Sequence, residues 1–394
     1  MRSVSTKRSK DSVLNLSICL TGVFLLIFAL PAFGQQVHQL SYNGSSWMDQ
    51  NLNGALAGPY TGIAAFLTTP NDQTHVYYID NNGNYDVHQL FFNGTSWSDQ
   101  DLTVISGAAQ GAYGSAQVAG FSVGNYQYVY YLGGQTGHVH QLLYNNIGWS
   151  DVDLTALTGG PNAQPSPLVA FTTSPTLHVY YTDWNLHIHQ LHTDNGLSWQ
   201  DQDLTSITGG TTSETSPGRT AGFNIDNFQY LYFVASTGHV HQFLYNNSSW
   251  SDEDLTVLSK STPANAKSDV QALVIPATKK MYVFYISSDG HIVELAATDN
   301  KKWVKTDLSK KTLSPGPQSF RVAAFTTPPH NELRVFYVGY TTNFHVLQLY
   351  KPQSQPWVYE DMTALTNGGI PESLYNDMAG FSFQNNQYVY YVAQ

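Results

Sequence analysis

Short apolar runs alternate with polar punctuation along the chain, and no stretch beyond residue 35 sustains an apolar period of 3.6 residues. Each run is rich in β-branched or aromatic residues and closes on Gly, Asn, Asp or Pro, which is strand chemistry with turn signals. Four phrases recur in fixed order. In one copy they read Ala119-Gly120-Phe121, then Tyr128-Val129-Tyr130-Tyr131, then His138-Val139-His140-Gln141-Leu142, then Trp149-Ser150-Asp151-Val152-Asp153-Leu154-Thr155. The tryptophan of the last phrase stands at Trp47, Trp97, Trp149, Trp199, Trp250, Trp303 and Trp357, at spacings of 50, 52, 50, 51, 53 and 54 residues. Four strands in each period of about 50 residues is the unit of a β-propeller blade.

The two ends of the chain complete each other. It enters mid-repeat at Val37-His38-Gln39-Leu40 and leaves mid-repeat at Tyr388-Val389-Tyr390-Tyr391. Six whole blades and one shared by the termini predict an all-β, seven-bladed propeller in a single domain, residues 35–394. Such a ring has no free sheet edge to aggregate. Two sub-patterns alternate within it. Blades one, three and six carry Thr68-Thr69-Pro70, Thr172-Thr173-Ser174-Pro175 and Thr326-Thr327-Pro328 between their first two strands. Blades two, four and seven carry Asn125-Tyr126-Gln127-Tyr128, Asn227-Phe228-Gln229-Tyr230 and Asn386-Gln387-Tyr388. Blade five, with Lys279, Lys280 and Glu294, diverges most.

Composition narrows the setting. Lys7, Arg8 and Lys10 precede an apolar stretch from Val13 to Leu30, and Ala32 and Gly34 are the small residues a signal peptidase takes. Residues 1–34 therefore read as a signal peptide, with Gln35 the new terminus and a secreted or extracytoplasmic product that is not inserted in a membrane. An uncleaved anchor is the alternative. Four of the 17 basic and one of the 28 acidic residues precede Gln35, so the remainder is acidic. An acidic chain without a basic cluster excludes nucleic acid as a natural partner. The one cysteine, Cys19, lies in the leader, so the propeller has no disulfide and no thiol chemistry.

Candidate chemistry sits on the second and third strands. Alternation puts His and Leu of the Val-His-Gln-Leu phrase on one face and Val and Gln on the other. The third-strand amide recurs as Gln39, Gln89, Gln141, Gln190, Gln242 and Gln348, with Glu294 in blade five. The second strand opens with His75, Tyr128, His178, Tyr230, Tyr282, Arg334 or Tyr388, 12 to 14 residues before the Gln or Glu that follows it in blades one to six. A planar amide or carboxylate, a second polar group and an aromatic face are what a sugar site needs. The aromatic wall is either the repeat tryptophan (Trp97, Trp149, Trp199, Trp250) or the doubled tyrosines. The bland alternative is that the tryptophans plug the core and the glutamines satisfy neighbouring polar groups.

Other chemistries are poorly supported. His138/His140, His187/His189 and His239/His241 are two apart and share a strand face, but the second of each pair is the repeat consensus, which argues for packing over a metal. Asp pairs such as Asp151/Asp153 and Asp201/Asp203 read as turn and edge chemistry, without the Gly-containing loop of a calcium site. No nucleophile elbow, metalloprotease motif or phosphate loop occurs, so no enzyme and no cofactor is expected.

At the level of these phrases the repeats resemble the fucose-specific lectin propellers of fungal fruiting bodies and their bacterial relatives, over Val37 to Gln394. That resemblance implies sugar held between adjacent blades by an Arg on the second strand, a Glu on the third and an aromatic wall, in a six-bladed fold. Only Arg334 matches the Arg position and only Glu294 the Glu position, in different blades. The expectation is a secreted, non-catalytic carbohydrate-binding protein with several interblade pockets and glycan or glycoconjugate partners, fucose-like sugars leading. An extracellular scaffold propeller that binds protein is the alternative.

Overall fold

The computed structural model describes Gln35–Gln394 apart from residues 59–60, 82, 113–116, 135, 215–219, 300–301, 341–343, 354 and 372–376, so the expected signal peptide lies outside the described residues. The described strands form seven four-stranded antiparallel sheets, one per blade. Six follow the chain in order. The seventh joins Met378–Phe383 and Asn386–Ala393 to Gln36–Tyr42 and Trp47–Asn51. Val37 pairs with Val392 and His38 with Tyr391, so the two chain ends close the ring in register.

Blades three and four show how the phrases build a sheet. Blade three runs Val169–Thr173, Thr176–Thr182, Ile188–Thr193 and Gln200–Asp203, innermost strand first. Blade four runs Ala221–Ile225, Phe228–Val234, Val240–Tyr245 and Trp250–Asp254. The middle strands are buried on both faces, which is why Val179 and Leu191 are inaccessible and both Tyr180 and Tyr181 nearly so. Burying each aliphatic side chain of this kind stabilises by roughly 1.5–3 kcal/mol. Residues of the inner strands, among them Ala64, Ala119, Ala170, Ala221, Ala272, Ala323 and Ala379, line a central cavity of about 240 Å³.

The sequence showed no helical period, yet a single helical turn follows the fourth strand of each of the first six blades, as at Leu154–Thr158 and Leu204–Thr208. Five residues are too few to display a period. The second Asp of each Trp-x-Asp-x-Asp phrase is the N-cap: Asp153 accepts from the Ala156 N–H and Asp203 from the Ser206 N–H, both at 2.8 Å. The threonine after the leucine turns back to the third strand, where Thr155 accepts from the Val139 N–H and Thr205 from the Ile188 N–H, each at 2.9 Å. The expected turn role of these aspartates thus takes the specific form of helix capping.

The alternating sub-patterns reflect a pairing of blades. A Cβ on Gly222 of blade four would stand 3.0 Å from Phe171 Cε1 of blade three, and one on Gly380 of blade seven 2.7 Å from Phe325 Cε1 of blade six. Gly120 of blade two faces Phe66 of blade one in the same way, at 2.9 Å. The Phe is supplied by the Thr-Thr-Pro blades and the glycine by the Gln-Tyr blades. Ser122 Oγ donates to the Leu67 carbonyl at 2.5 Å and Ser382 Oγ to the Thr326 carbonyl at 2.6 Å, fastening the same pairs. Blade five, the divergent one, is left without such a partner.

Candidate functional site

His178 and Gln190 come from neighbouring strands of blade three and meet at the boundary with blade four. Gln190 Nε2 lies 2.9 Å from His178 Nδ1, 2.9 Å from the Tyr180 hydroxyl and 2.7 Å from Gln229 Oε1 of blade four. The Tyr180 hydroxyl donates to the same Gln229 oxygen at 2.6 Å. Because the amide donates to Nδ1, the imidazole proton sits on Nε2, which faces Thr173 Oγ1 at 2.6 Å. Burial holds the His178 ring neutral, with its pKa down to about 4, and pushes the Tyr180 phenol up. Every polar group in this chain of contacts is uncharged.

Above that network opens a cavity of about 700 Å³ lined by His178, Gln190, His192, Asp194, Gln229, Tyr245, Asn247 and Trp250, among others. It spans the edges of both blades. Trp250 forms one wall, its ring edge-on to Tyr180 at 6.4 Å and 78° and tilted against Tyr245 at 5.4 Å. Asp194, exposed at the rim, accepts from Thr176 Oγ1 at 2.5 Å. Amides, an imidazole, hydroxyls and an aromatic wall converge on one concavity, which is the donor and acceptor set that orients a polyhydroxylated ring.

The same network is built once more. Between blades one and two, Gln89 Nε2 stands 3.0 Å from His75 Nδ1, 2.7 Å from the Tyr77 hydroxyl and 2.8 Å from Gln127 Oε1. His75 Nε2 faces Thr68 at 3.1 Å, and burial brings this ring also down to about 4. In blade seven, at its boundary with blade one, Gln39 donates to the Tyr390 hydroxyl at 2.8 Å. There Gln39, Tyr388 and Trp97 line a second cavity of about 250 Å³.

The other sequence-named pairs are not brought together in this way. Gln141 turns to the Tyr130 hydroxyl at 2.9 Å while Tyr128 stacks on Phe121 at 5.3 Å. Tyr230 likewise stacks on Phe223 at 5.3 Å, and Gln242 is wholly buried with both amide atoms unpartnered. Tyr282 stacks on Phe284 at 6.3 Å under the Lys280 ammonium, and burial pushes the Glu294 carboxyl up. Arg334 bonds Glu332 at 2.9 Å and lies over the Tyr350 ring, while Gln348 of its blade has no partner for either amide atom. The reason is local: Phe284 and Phe336 replace the tyrosine that anchors the glutamine elsewhere, and Leu177, Met281 and Leu333 replace the incoming glutamine.

The repeat tryptophans pack between blades, and two of them also line cavities. Trp97, Trp149, Trp199 and Trp250 each pack edge-on against a tyrosine of the preceding blade, Tyr390, Tyr77, Tyr130 and Tyr180, at 6.2–6.4 Å. Trp199 is buried in that contact, whereas Trp97 and Trp250 are part-exposed and line cavities. Sequence reasoning missed Gln127 and Gln229, although the Asn-x-Gln-Tyr sub-pattern that carries them was its own signal. It also missed His192, Asp194 and Tyr245.

The histidines of the third-strand phrase face away from the glutamines and hold the fourth strand. His140 reaches Asp151, His189 reaches Asp201 and His241 reaches Asp252 at 2.8–3.0 Å, and the Tyr181 hydroxyl donates to Asp201 at 2.9 Å. The packing role read from their recurrence is thus seen in ring-to-carboxylate contacts in blade after blade.

No curated protein sequence matches the chain. Its fold is similar to that of the lectin of Aleuria aurantia, described as six-bladed with a fucose recognition mode (17% identity, 76% of this chain and 95% of that one, TM-score 0.53). It is similar also to the BP39L lectin of Burkholderia pseudomallei (17%, 83% and 90%, 0.57) and to AofleA of Arthrobotrys oligospora (13%, 90% and 92%, 0.52). Residues 214–393 match the model of the fungal fucose-specific lectin family, and the resemblance read from the repeat phrases is shown there by blades four to seven.

Proposed function

We propose that this chain is a non-catalytic carbohydrate-binding lectin whose principal pocket is the cleft between blades three and four. The family match and the propeller neighbours support a lectin. The observation that carries the location is the His178–Gln190–Gln229 network at the floor of the largest described cavity, with Trp250 as its wall. The polar groups take hydroxyls and the indole takes the C–H face of a sugar ring. The charged pair of the family pattern is replaced by neutral amide and imidazole, so binding rests on uncharged hydrogen bonds, each weaker than a charge-assisted one. The cleft between blades seven and one is a second, smaller pocket of the same kind.

Fucose-like sugars are the first candidates, because the matched family is fucose-specific and a mutant of the Aleuria aurantia lectin is known in complex with α-methyl-L-fucoside. Individually weak pockets on one rigid ring gain avidity against a surface of repeated glycans. The basic start, apolar run and small residues of positions 1–34 support export from the cytoplasm with cleavage after Gly34. Competition of immobilised-glycan binding by free sugar, repeated with His178→Ala and Gln190→Ala, tests the site. Binding that no sugar competes away would favour a protein-binding scaffold.

A further inference from the structure

Strand Val240–Tyr245 of blade four enters the sugar cleft at one end, and at the other it brings together a different set of groups. One ring nitrogen each of His239 and His241 and an Asp254 carboxylate oxygen all lie within 4.8 Å of one another, with His239 Nδ1 2.6 Å and His241 Nε2 3.7 Å from Asp254 Oδ2. We propose that these three residues form a binding site for a divalent transition metal of the zinc type, independent of the carbohydrate reading.

The donor chemistry fits. Two imidazoles and a carboxylate with an open side are a common borderline-soft set that leaves one position to water. His241 is oriented for it: its Nδ1 faces Asp252 Oδ1 at 2.8 Å, which puts the ring proton on Nδ1 and leaves the Nε2 lone pair toward Asp254. A carboxylate behind a ligating histidine fixes the tautomer and raises its basicity. The Phe233 ring, 5.7 Å away, packs against the imidazole. On Asp254, Oδ1 is occupied by the Val257 N–H at 2.9 Å, so Oδ2 is the ligand atom. His239 Nδ1 is 2.6 Å from that Oδ2, and the metal displaces the proton they share. The side chains of His239 and Asp254 are about 30% exposed, which gives the ion an entry and room for water.

Neighbouring blades show why blade four is chosen. In blade three the equivalent His189 Nε2 already has Asp183 Oδ2 at 3.7 Å, whereas Ala235 occupies the Asp183 position in blade four. Blade two keeps the nearest counterpart, His138, His140 and Asp153, with His140 Nε2 3.9 Å from Asp153 Oδ2 against 3.7 Å for His241 and Asp254. In blades five and six Val293 and Leu347 replace the second histidine.

The test is titration of ZnCl2 into the chelator-stripped purified chain by calorimetry, with Co²⁺ visible absorption as the coordination readout. Wild type should take up zinc, and His239→Gln and His241→Gln should each remove one equivalent. Asp252→Asn should weaken that equivalent about 10–100-fold, as loss of an outer-shell partner does. Selective Co²⁺ broadening of the His239 and His241 ring resonances in the unaltered protein checks the same site without a substitution. No uptake by wild type, uptake undiminished from wild type in both variants, or broadening elsewhere would overturn the proposal.

Discussion

Gln190 of blade three and Gln229 of blade four meet amide to amide across the blade boundary at 2.7 Å, and both share the Tyr180 hydroxyl. One contact therefore does two jobs: it fastens a blade pair and it fixes the floor of the largest described cavity. A side chain held by three partners loses little further freedom when a ligand arrives.

Removing the incoming amide should cost stability as well as binding. Gln229→Leu leaves the buried Tyr180 hydroxyl without its acceptor, a penalty of about 1–3 kcal/mol, while Gln190 Nε2 keeps His178 and Tyr180. Urea unfolding should show that loss, while Gln229→Glu, which restores an acceptor at the expense of a buried charge, should not recover the full stability.

The converse experiment is available in blade six. Gln348 is wholly buried with both amide atoms unpartnered, and Gln387 of blade seven has an unpartnered oxygen beside it in the ring order. Phe336 stands where blades one and three have Tyr77 and Tyr180. Phe336→Tyr should therefore stabilise by about 0.5–1.5 kcal/mol, the net worth of a hydrogen bond, seen as a rise in the thermal midpoint. An unchanged or lower midpoint would mean that the local packing does not admit the hydroxyl.

Gly222 has a packing role. Its ideal Cβ would stand 2.9 Å from the Tyr230 carbonyl oxygen and 3.0 Å from the Phe171 ring. Gly222→Ala should destabilise by about 1–3 kcal/mol through overpacking, and truncating the partner in Phe171→Leu should recover part of that loss. A double-mutant cycle measures the coupling.

The buried imidazoles predict an acid-side signature. Burial lowers His75 and His178 to about 4, below the unfolded value near 6.5. Between those values the unfolded chain binds protons that the folded chain refuses, so the contribution is present above pH ~6.5 and lost as pH falls toward 4. His88 and His189 have the opposite sign. Burial pulls them down, but the hydrogen bonds and charges of Asp99 and Asp201 outweigh it and raise them. Their stabilisation is present at low pH and fades as pH rises through their folded values. Comparing wild type with His178→Asn between pH 7 and 4 isolates the first effect: the variant should lose less stability on acidification.

Much of this was legible beforehand, for physical reasons. Each phrase is one strand and each tryptophan one blade, so Trp47 to Trp357 gave the ring and its closure at Val37 and Tyr390. The pairing of His178 with Gln190 followed from their spacing and strand alternation. The one-turn helices at Leu154–Thr158 and its counterparts left no period to read. Gln229 could not be assigned a partner because its contact runs between blades, 39 residues from Gln190. Arg334 and Glu294, which the family resemblance singled out, lie where phenylalanines have replaced the anchoring tyrosine, and both have turned to other surroundings.

The most direct measurement is a glycan array probed with the purified protein, followed by calorimetry with the selected free sugar on wild type, His178→Ala and Gln190→Ala. The expected result is selective binding, fucosylated glycans first among the targets, competed by free sugar and weakened at least tenfold by either substitution in the blade three–four cleft. A blank array from folded protein, or affinity untouched by both substitutions, would contradict the assignment of that cleft as the principal sugar site.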